Sequence, residues 1–383
     1  MPTPASAIRH GSTMLTDAQA AVDDLYRQLV QDEMAGVLFF CSSEYDLTAL
    51  QQAMAQRFGD TLVMGSTSAG EIDTHYQRSG ISGLSFAKQQ FALHSAFVEN
   101  SKLFSMADAE QLVSDIRQQL CFNSRLNPEK MFGFLMVDGL NLSEEIVTAY
   151  LYSALDGIPM IGGSAGDDLK FESTQLYHQG HFYSGAAHLL LVESKLPFET
   201  FQSQHFEPTE TSFIVTEATP AERTVQEINA IPAAEAYASF LGLTVDQLEP
   251  GIFSQHPIML RFNQQWHIRS IQKVLDDGSL KFYCAIEDGL PMTLGRSRTF
   301  TDTLEQLVEQ IEAKFSTIAL TLGCDCILRK LAFLELNESD QQRVEALLKR
   351  IRMVGFNTYG EQFNGLHVNQ TLTGVVIGTP HDG

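Results

Sequence analysis

No stretch of this 383-residue chain approaches the roughly 20 unbroken apolar residues that a membrane-spanning helix requires. The opening MPTPASAIRHGSTMLTDAQAAV lacks the apolar centre of a secretory signal. Basic residues are scarce: 25 Lys and Arg face 47 Asp and Glu, for a net charge of −22. Phosphate backbones need a concentrated basic surface, so nucleic acid is not an expected partner, and docking on an anionic membrane is disfavoured. Cysteines number five, at positions 41, 121, 284, 324 and 326, too few and too scattered for a disulfide scaffold. These absences together predict a cytoplasmic protein. Catalytic signatures are missing as well. Gly163-Ser164-Ala165-Gly166 is not a nucleophile elbow, no H-E-x-x-H occurs, and no Gly-Lys-Ser/Thr closes a phosphate loop. The expectation is a non-enzyme.

What is present is ordinary globular composition: 44% apolar residues, with 25 Phe and a single Trp. The length suggests about two domains. Residues 37–71 and 133–168 resemble each other. Each opens on an apolar run (Val37–Phe40; Phe134–Val137), continues through a helical stretch and reaches a second apolar run (Thr61–Met64; Ile158–Ile161). Each ends on a small-residue turn closed by an acid: Ser68-Ala69-Gly70-Glu71 and Ser164-Ala165-Gly166-Asp167. Strand, helix, strand with short connections reads as βαβ, with both strands parallel in one sheet. Each copy is followed by an extended run, 82–86 and 184–190, expected to add an antiparallel arm. Matched units facing each other would place their two turns in one cleft.

The fold class expected is therefore α/β: mixed sheets built from duplicated βαβ units, followed by a second mixed α/β domain. A helical extension covers 1–34, the repeat-bearing domain 35–220 and the second domain 221–383. In the latter, a helix starts near Pro232, strands lie around 259–262, 266–271 and 280–285, and 300–318 is helical. The run 326–336 reads as a strand, Ser339 as the start of a capped helix, and 354–359 and 371–377 as a last strand pair.

Three constellations are candidate sites. Ser68, Gly70 and Glu71, with Gly163, Ser164, Gly166 and Asp167, would bring backbone N–H groups and a carboxylate to a ligand at strand ends. The alternative is close packing of turn on helix, with the acids bonding local amides. Tyr359, Gly360 and Glu361, with His367 and Asn369, would offer an acceptor and an amide to one polar group; the alternative is a polar network fixing the last strands. Cys324-Asp325-Cys326 has no second pair for zinc, and alternation favours two buried thiols on one strand face.

GGSAGDD (162–168) resembles the signature of the FIST N-terminal domain. VQEINAIPAAEAYASFLG (225–242), CDCILRKLA (324–332) and FNTYGEQFNGLHVNQT (356–371) resemble the FIST C-terminal domain. The resemblance runs from about residue 35 to the end. It implies a sensory protein for small ligands such as amino acids. Stand-alone full-length members are similar to this chain; these are nitric-oxide-sensing haemoproteins (NosP type), and they imply haem b, nitric oxide as signal and a histidine kinase as partner. A haem sensor needs an axial imidazole in an apolar pocket. His256, held extended by Pro257, and His205 rank first. His94 and His188 read as core residues, His178 and His181 as a solvent-exposed turn, and His10 and His381 as terminal. Two alternatives stay open, a haem-free metabolite sensor and a hydrolase or transferase using the acidic turns. A homo-oligomer is compatible with all three.

Overall fold

The apolar run at 37–40 forms a strand because both faces of its sheet are covered, so every residue from Gly36 to Ser42 is buried. A computed structural model describes residues 7–262 and 264–381. The chain divides into two units. Unit 1 comprises Met1–Ser203, Leu304–Leu366 and Leu372–Gly383; unit 2 comprises Gln204–Thr303 and His367–Thr371. Unit 1 is discontinuous in sequence.

Unit 1 contains three copies of one motif. The first runs β1 (Ile8–Thr13), α1 (Ala18–Leu29), β2 (Met34–Ser42), α2 (Leu47–Phe58), β3 (Val63–Ser68), β4 (Glu71–Asp73) and β5 (Ile81–Ala87). Asp17 and Asp46 cap the two helices, their carboxylates accepting backbone N–H groups of the first turn. The second runs β6 (Phe91–Val98), α3 (Met106–Gln119), β7 (Met131–Val137), α4 (Glu144–Ala154), β8 (Met160–Ser164), β9 (Leu176–His178), β10 (His181–Tyr183) and β11 (Ala187–Ser194). The third opens with β12 (Phe198–Ser203), and the chain then enters unit 2.

Unit 2 consists of β13 (Phe206–Thr219), β14 (Thr224–Ile228), β15 (Ile231–Pro232), α5 (Ala233–Leu241), α6 (Pro250–Gln255), β16 (Ile258–Phe262), β17 (Gln265–Arg269), β18 (Ile271–Val274), β19 (Leu280–Phe282) and β20 (Pro291–Ser297). The strands make one antiparallel path, β17-β16-β20-β13-β14-β19-β18, with β15 beside β14. Their inward residues bury Tyr237 of α5 with Val225, Ile228, Ile258 and Leu280 in a separate core.

The third copy resumes in α7 (Phe300–Lys314), β21 (Phe315–Cys326), α8 (Ile327–Leu334), α9 (Glu338–Arg350), β22 (Met353–Thr358), β23 (Glu361–Phe363), β24 (Leu366–Val368) and β25 (Leu372–Pro380). Three sequence expectations are corrected here. The helix expected over 300–318 ends at Lys314, and residues 315–318 open β21. The run 326–336 is the helix α8, not a strand, because Ile327 and Lys330 recur at helical spacing on its buried face. The cap of α9 is Asn337, which accepts the Asp340 N–H, rather than Ser339.

The three copies share one strand order. β2 and β3, β7 and β8, and β21 and β22 pair in parallel, as the βαβ reading requires for the first two. The expected antiparallel arms are β5 on β2 and β11 on β7, with β25 on β21 as the third. Each opening strand lies outside its own arm: β1 on β5, β6 on β11, β12 on β25. The strand after each turn joins another copy's sheet. β4 pairs with β22, β23 with β8 and β9 with β3, closing a three-way exchange. Phe40 stacks on Phe356 at 4.2 Å between centroids and meets Phe134 edge-on at 6.2 Å, so aromatic contact joins all three copies. No helix among the described residues is long and apolar enough to cross a membrane.

Candidate functional site

Each βαβ unit ends on the same turn, and the structure adds a third to the two read from sequence: Thr358-Tyr359-Gly360-Glu361, directly after β22. The turns bond to one another through their backbones. Ala69 N donates to Asn357 O (2.9 Å) and Asn357 N to Gly70 O (2.6 Å). Tyr359 N donates to Ser164 O (3.2 Å), Ser164 N to Gly360 O (2.7 Å) and Gly166 N to Thr67 O (3.3 Å). This closeness explains the small residues. A Cβ at Gly166 would sit 2.8 Å from Ala69 Cβ, and one at Gly163 would sit 2.4 Å from Thr358 Cγ2. Ser68, Gly70, Glu71, Gly163, Ser164, Gly166, Asp167, Tyr359, Gly360 and Glu361 are thus brought together, and all are buried.

The closing acids have different surroundings. Asp167 accepts the N–H groups of Phe171 (2.9 Å), Glu172 (2.7 Å) and Ser173 (2.9 Å), and the Tyr359 hydroxyl. Glu361 accepts the hydroxyl of Thr358. Glu71 Oε1 accepts the hydroxyl of Ser68 at 2.6 Å, while Oε2 has no hydrogen-bond partner among the described residues. Burial pushes the Glu71 carboxyl up to about 8; the negative charge of Asp168 adds to this, and the Ser68 hydroxyl and the Lys330 ammonium oppose it.

Lys330, on α8, was not singled out from sequence. Its ammonium donates to the carbonyls of Gln77 (2.8 Å) and Ala69 (3.2 Å). Burial lowers its pKa, against the attraction of Glu71. Gly70 makes room for it: with φ at +139°, a Cβ there would fall 1.9 Å from Lys330 Nζ. One residue earlier on α8, Arg329 Nε donates to Asp325 Oδ1 at 2.6 Å, and Tyr76 donates to Asp325 Oδ2. The i,i+4 spacing of Asp325 and Arg329 was the available sequence signal; attention to the flanking cysteines hid it. Cys324 and Cys326 are buried, and burial pushes the Cys324 thiol up. Hydrogen bonds run between the turns of all three copies, and Glu71 Oε2 stands among them without a partner among the described residues. These bonds fix where the three copies meet.

Two cavities of unit 1 are lined by other residues. A cavity of about 430 Å³ is lined by the end of α2 and the loop Gly59–Leu62, by Ser95 of β6, and by Tyr177, His178, Gln179 and Gly180. Gln179 (φ 46°) and Gly180 (φ 86°) both have positive φ, as a two-residue hairpin turn between β9 and β10 requires. The turn is as expected, but His178 is half-buried rather than solvated. Its ring stacks on Phe97 (4.3 Å, 4° between planes) and meets His188 edge-on at 4.8 Å. Burial lowers the pKa of His178, and it brings His188 down to about 3 with help from the charge His178 would carry. Both imidazoles are therefore neutral at pH 7. A second, more apolar cavity of about 360 Å³ is bordered by Phe97, Leu103, Phe104 and Leu112.

The other selected residues fall in unit 2. His256 is half-buried at the end of α6, and its carbonyl accepts the Tyr237 hydroxyl at 2.7 Å. His205 is buried, with its ring against Phe206 (4.2 Å) and Phe300 (5.3 Å). Neither lines the two cavities above, so neither offers a ring to an apolar ligand pocket there. His367 and Asn369 belong to unit 2, whereas Glu361 belongs to unit 1. His94, Cys121 and Glu193 lie within 4.8 Å of one another at their ligand atoms. Glu193 already accepts from His94, from the N–H groups of Cys121, Phe122 and Asn123, and from the Asn123 amide. With its lone pairs engaged, that carboxylate is a structural clamp rather than an open metal ligand.

A search of curated proteins yields no significant match. The FIST N domain model matches residues 35–231 and the FIST C domain model residues 233–364. Together they span both units and all three acidic turns, and the FIST N match alone covers more than half of the chain. The chain belongs to the FIST family of sensory proteins, which serve small-ligand detection in signal transduction.

Proposed function

We propose that this protein senses a small ligand in the cavity beside His178 and passes the bound state to a signalling partner. The observation that carries this is where the cavity sits. Its walls come from α2 and the following loop of the first copy, and from β6 and the β9–β10 turn of the second. Since β9 is the strand that the second copy lends to the first copy's sheet, a ligand at its turn bears on the junction between copies. A ligand shifts a conformational equilibrium only through contacts that differ between two states, and a junction supplies such contacts. The volume lies within the range of small-molecule sites.

In the finer reading the ligand is haem b, the signal nitric oxide and the partner a histidine kinase. His178 is then the axial residue in place of His256 or His205, because it is the histidine that lines this cavity and burial favours the neutral form that coordinates iron. Haem iron, when bound, supplies the coordination position for nitric oxide. The protein's own part is to present the imidazole, with Phe97 fixing its plane. The polar lining by Asp60, Thr61, Ser95 and Gln179 favours a second reading, a haem-free metabolite such as an amino acid. Hemin titration separates them. Stoichiometric uptake with a Soret band that shifts on adding nitric oxide, lost in His178→Ala and kept in His256→Ala and His205→Ala, supports haem. Absence of stoichiometric uptake by the wild type rejects it and leaves the metabolite.

A further inference from the structure

Unit 2 buries a cation without a counter-ion. Arg269, at the end of β17, is 9% exposed. Its Nη1 donates to the carbonyls of Ile268 and His367, both at 3.2 Å. Among the described residues no carboxylate lies at ion-pair distance, and Nε and Nη2 make no hydrogen bond. Those two nitrogens form the side-on edge of the guanidinium, two parallel donors spaced for the two oxygens of a carboxylate. Carbonyl dipoles compensate the charge only in part, which leaves this edge open to an anionic partner.

The residues facing it are unsatisfied too. The segment His367–Thr371 runs along the end of β17, held by the Arg269–His367 contact and by the Ser270 hydroxyl donating to Gln370 Oε1 at 3.0 Å. Asn369 lies between those two anchor points. It is 1% exposed, and neither its amide nitrogen nor its oxygen has a hydrogen-bond partner among the described residues. His267, two residues before Arg269 and so on the same strand face, is 2% exposed with Nδ1 unpartnered. Buried polar atoms in native proteins are nearly always paired, and each exception calls for a missing water, ion or ligand. Here a guanidinium edge, an amide and an imidazole nitrogen share one short stretch of structure.

We propose that unit 2 binds a small monocarboxylate, its two oxygens on Nε and Nη2 of Arg269 and the amide of Asn369 completing the site. Charge selects the class. Burial and the adjacent Arg269 bring the His267 imidazole down to about 4, so at pH 7 the site carries one positive charge. One charge neutralises a carboxylate and leaves a phosphate dianion half-compensated in a buried place. The proposal is independent of the cavity beside His178.

The test uses the full-length protein with sodium acetate, sodium pyruvate, sodium phosphate and sodium chloride at matched ionic strength, read by thermal shift and calorimetric titration. Acetate and pyruvate should raise the melting temperature above the chloride value, and phosphate should not. Arg269→Gln should weaken pyruvate binding about tenfold or more. Asn369→Asp, which tethers a carboxylate beside the guanidinium, should raise the ligand-free melting temperature and abolish the response. That variant decides the matter if Arg269→Gln fails to fold. A wild type that responds to carboxylates no more than to chloride, or to phosphate alone, overturns the proposal. So does an undiminished response in Asn369→Asp.

Discussion

The turns closed by Glu71 and Asp167 occupy equivalent places in two copies of one motif, yet their carboxyl groups have different hydrogen-bond partners. Asp167 accepts three backbone N–H groups and a phenol. Glu71 accepts one hydroxyl, has an oxygen without a partner and is pushed up to about 8. The difference comes from the chain that follows. After Asp167 it folds back over the carboxylate through Phe171–Ser173; Glu71 itself opens β4, which leaves at once to pair with β22. A shared motif fixes where an acid stands, and the chain that comes after it decides how many donors the acid meets.

The largest expected effect tests the packing on the Glu71 side. Gly70→Ala places a Cβ against the Lys330 ammonium at a φ that L residues rarely adopt, and should cost about 3 kcal/mol or more in denaturant unfolding. The corresponding Gly166→Ala also meets close neighbours, the backbone N and Cβ of Ala69, but without a positive φ to add strain, and should cost less. Next comes Asp167→Ala, which leaves three N–H groups and the Tyr359 hydroxyl without their acceptor. Because Phe171, Glu172 and Ser173 are exposed, water replaces part of that loss, and about 2 kcal/mol is expected.

The third prediction concerns pH. Glu71 has a folded pKa of about 8 against an ordinary value of 4.5, so between these values the native state holds more protons than the unfolded chain. Stability from this group is therefore complete below about 4.5 and falls as pH rises toward about 8. Glu71→Gln, which imitates the protonated form, should flatten this decline and should unfold later than wild type at pH 9. Equal pH slopes for wild type and Glu71→Gln would show that Glu71 is ionised in the folded protein. The smallest stability effect is expected for Ala55→Trp. It adds a ring on an exposed position of α2 that borders the cavity, within about 0.5 kcal/mol of wild type.

The two acidic turns were legible because each βαβ unit is continuous and short: Ser68 and Ser164 stand 96 residues apart (164 − 68) in alignable surroundings. The third copy was hidden by topology. Unit 2 intervenes between β12 and α7, and two helices, α8 and α9, stand where the other copies have one. The dense apolar content of 327–334 imitated a strand, since short apolar runs carry little periodic signal. Tyr359, Gly360 and Glu361 were nonetheless picked out in a separate constellation, without their kinship to the first two turns. Lys330 and Arg329 could not be joined to Glu71 by spacing alone, because only the exchange of β4 onto β22 brings α8 to the first turn. The histidine ranking favoured apolar neighbours in sequence, whereas His178 owes its half-buried place to Phe97, which is 81 residues away (178 − 97).

The ligand seat beside His178 is tested most directly by a thermal-shift screen of hemin and the twenty amino acids. It should be run in the Arg269→Gln background, so that carboxylate binding in unit 2 does not contribute, with and without Ala55→Trp. At least one compound should raise the melting temperature of the Ala55 protein, by an amount set by its concentration relative to its Kd, and lose that effect when Trp fills the cavity. A compound that stabilises both proteins equally, or the absence of any stabilising compound, would contradict a seat in this cavity.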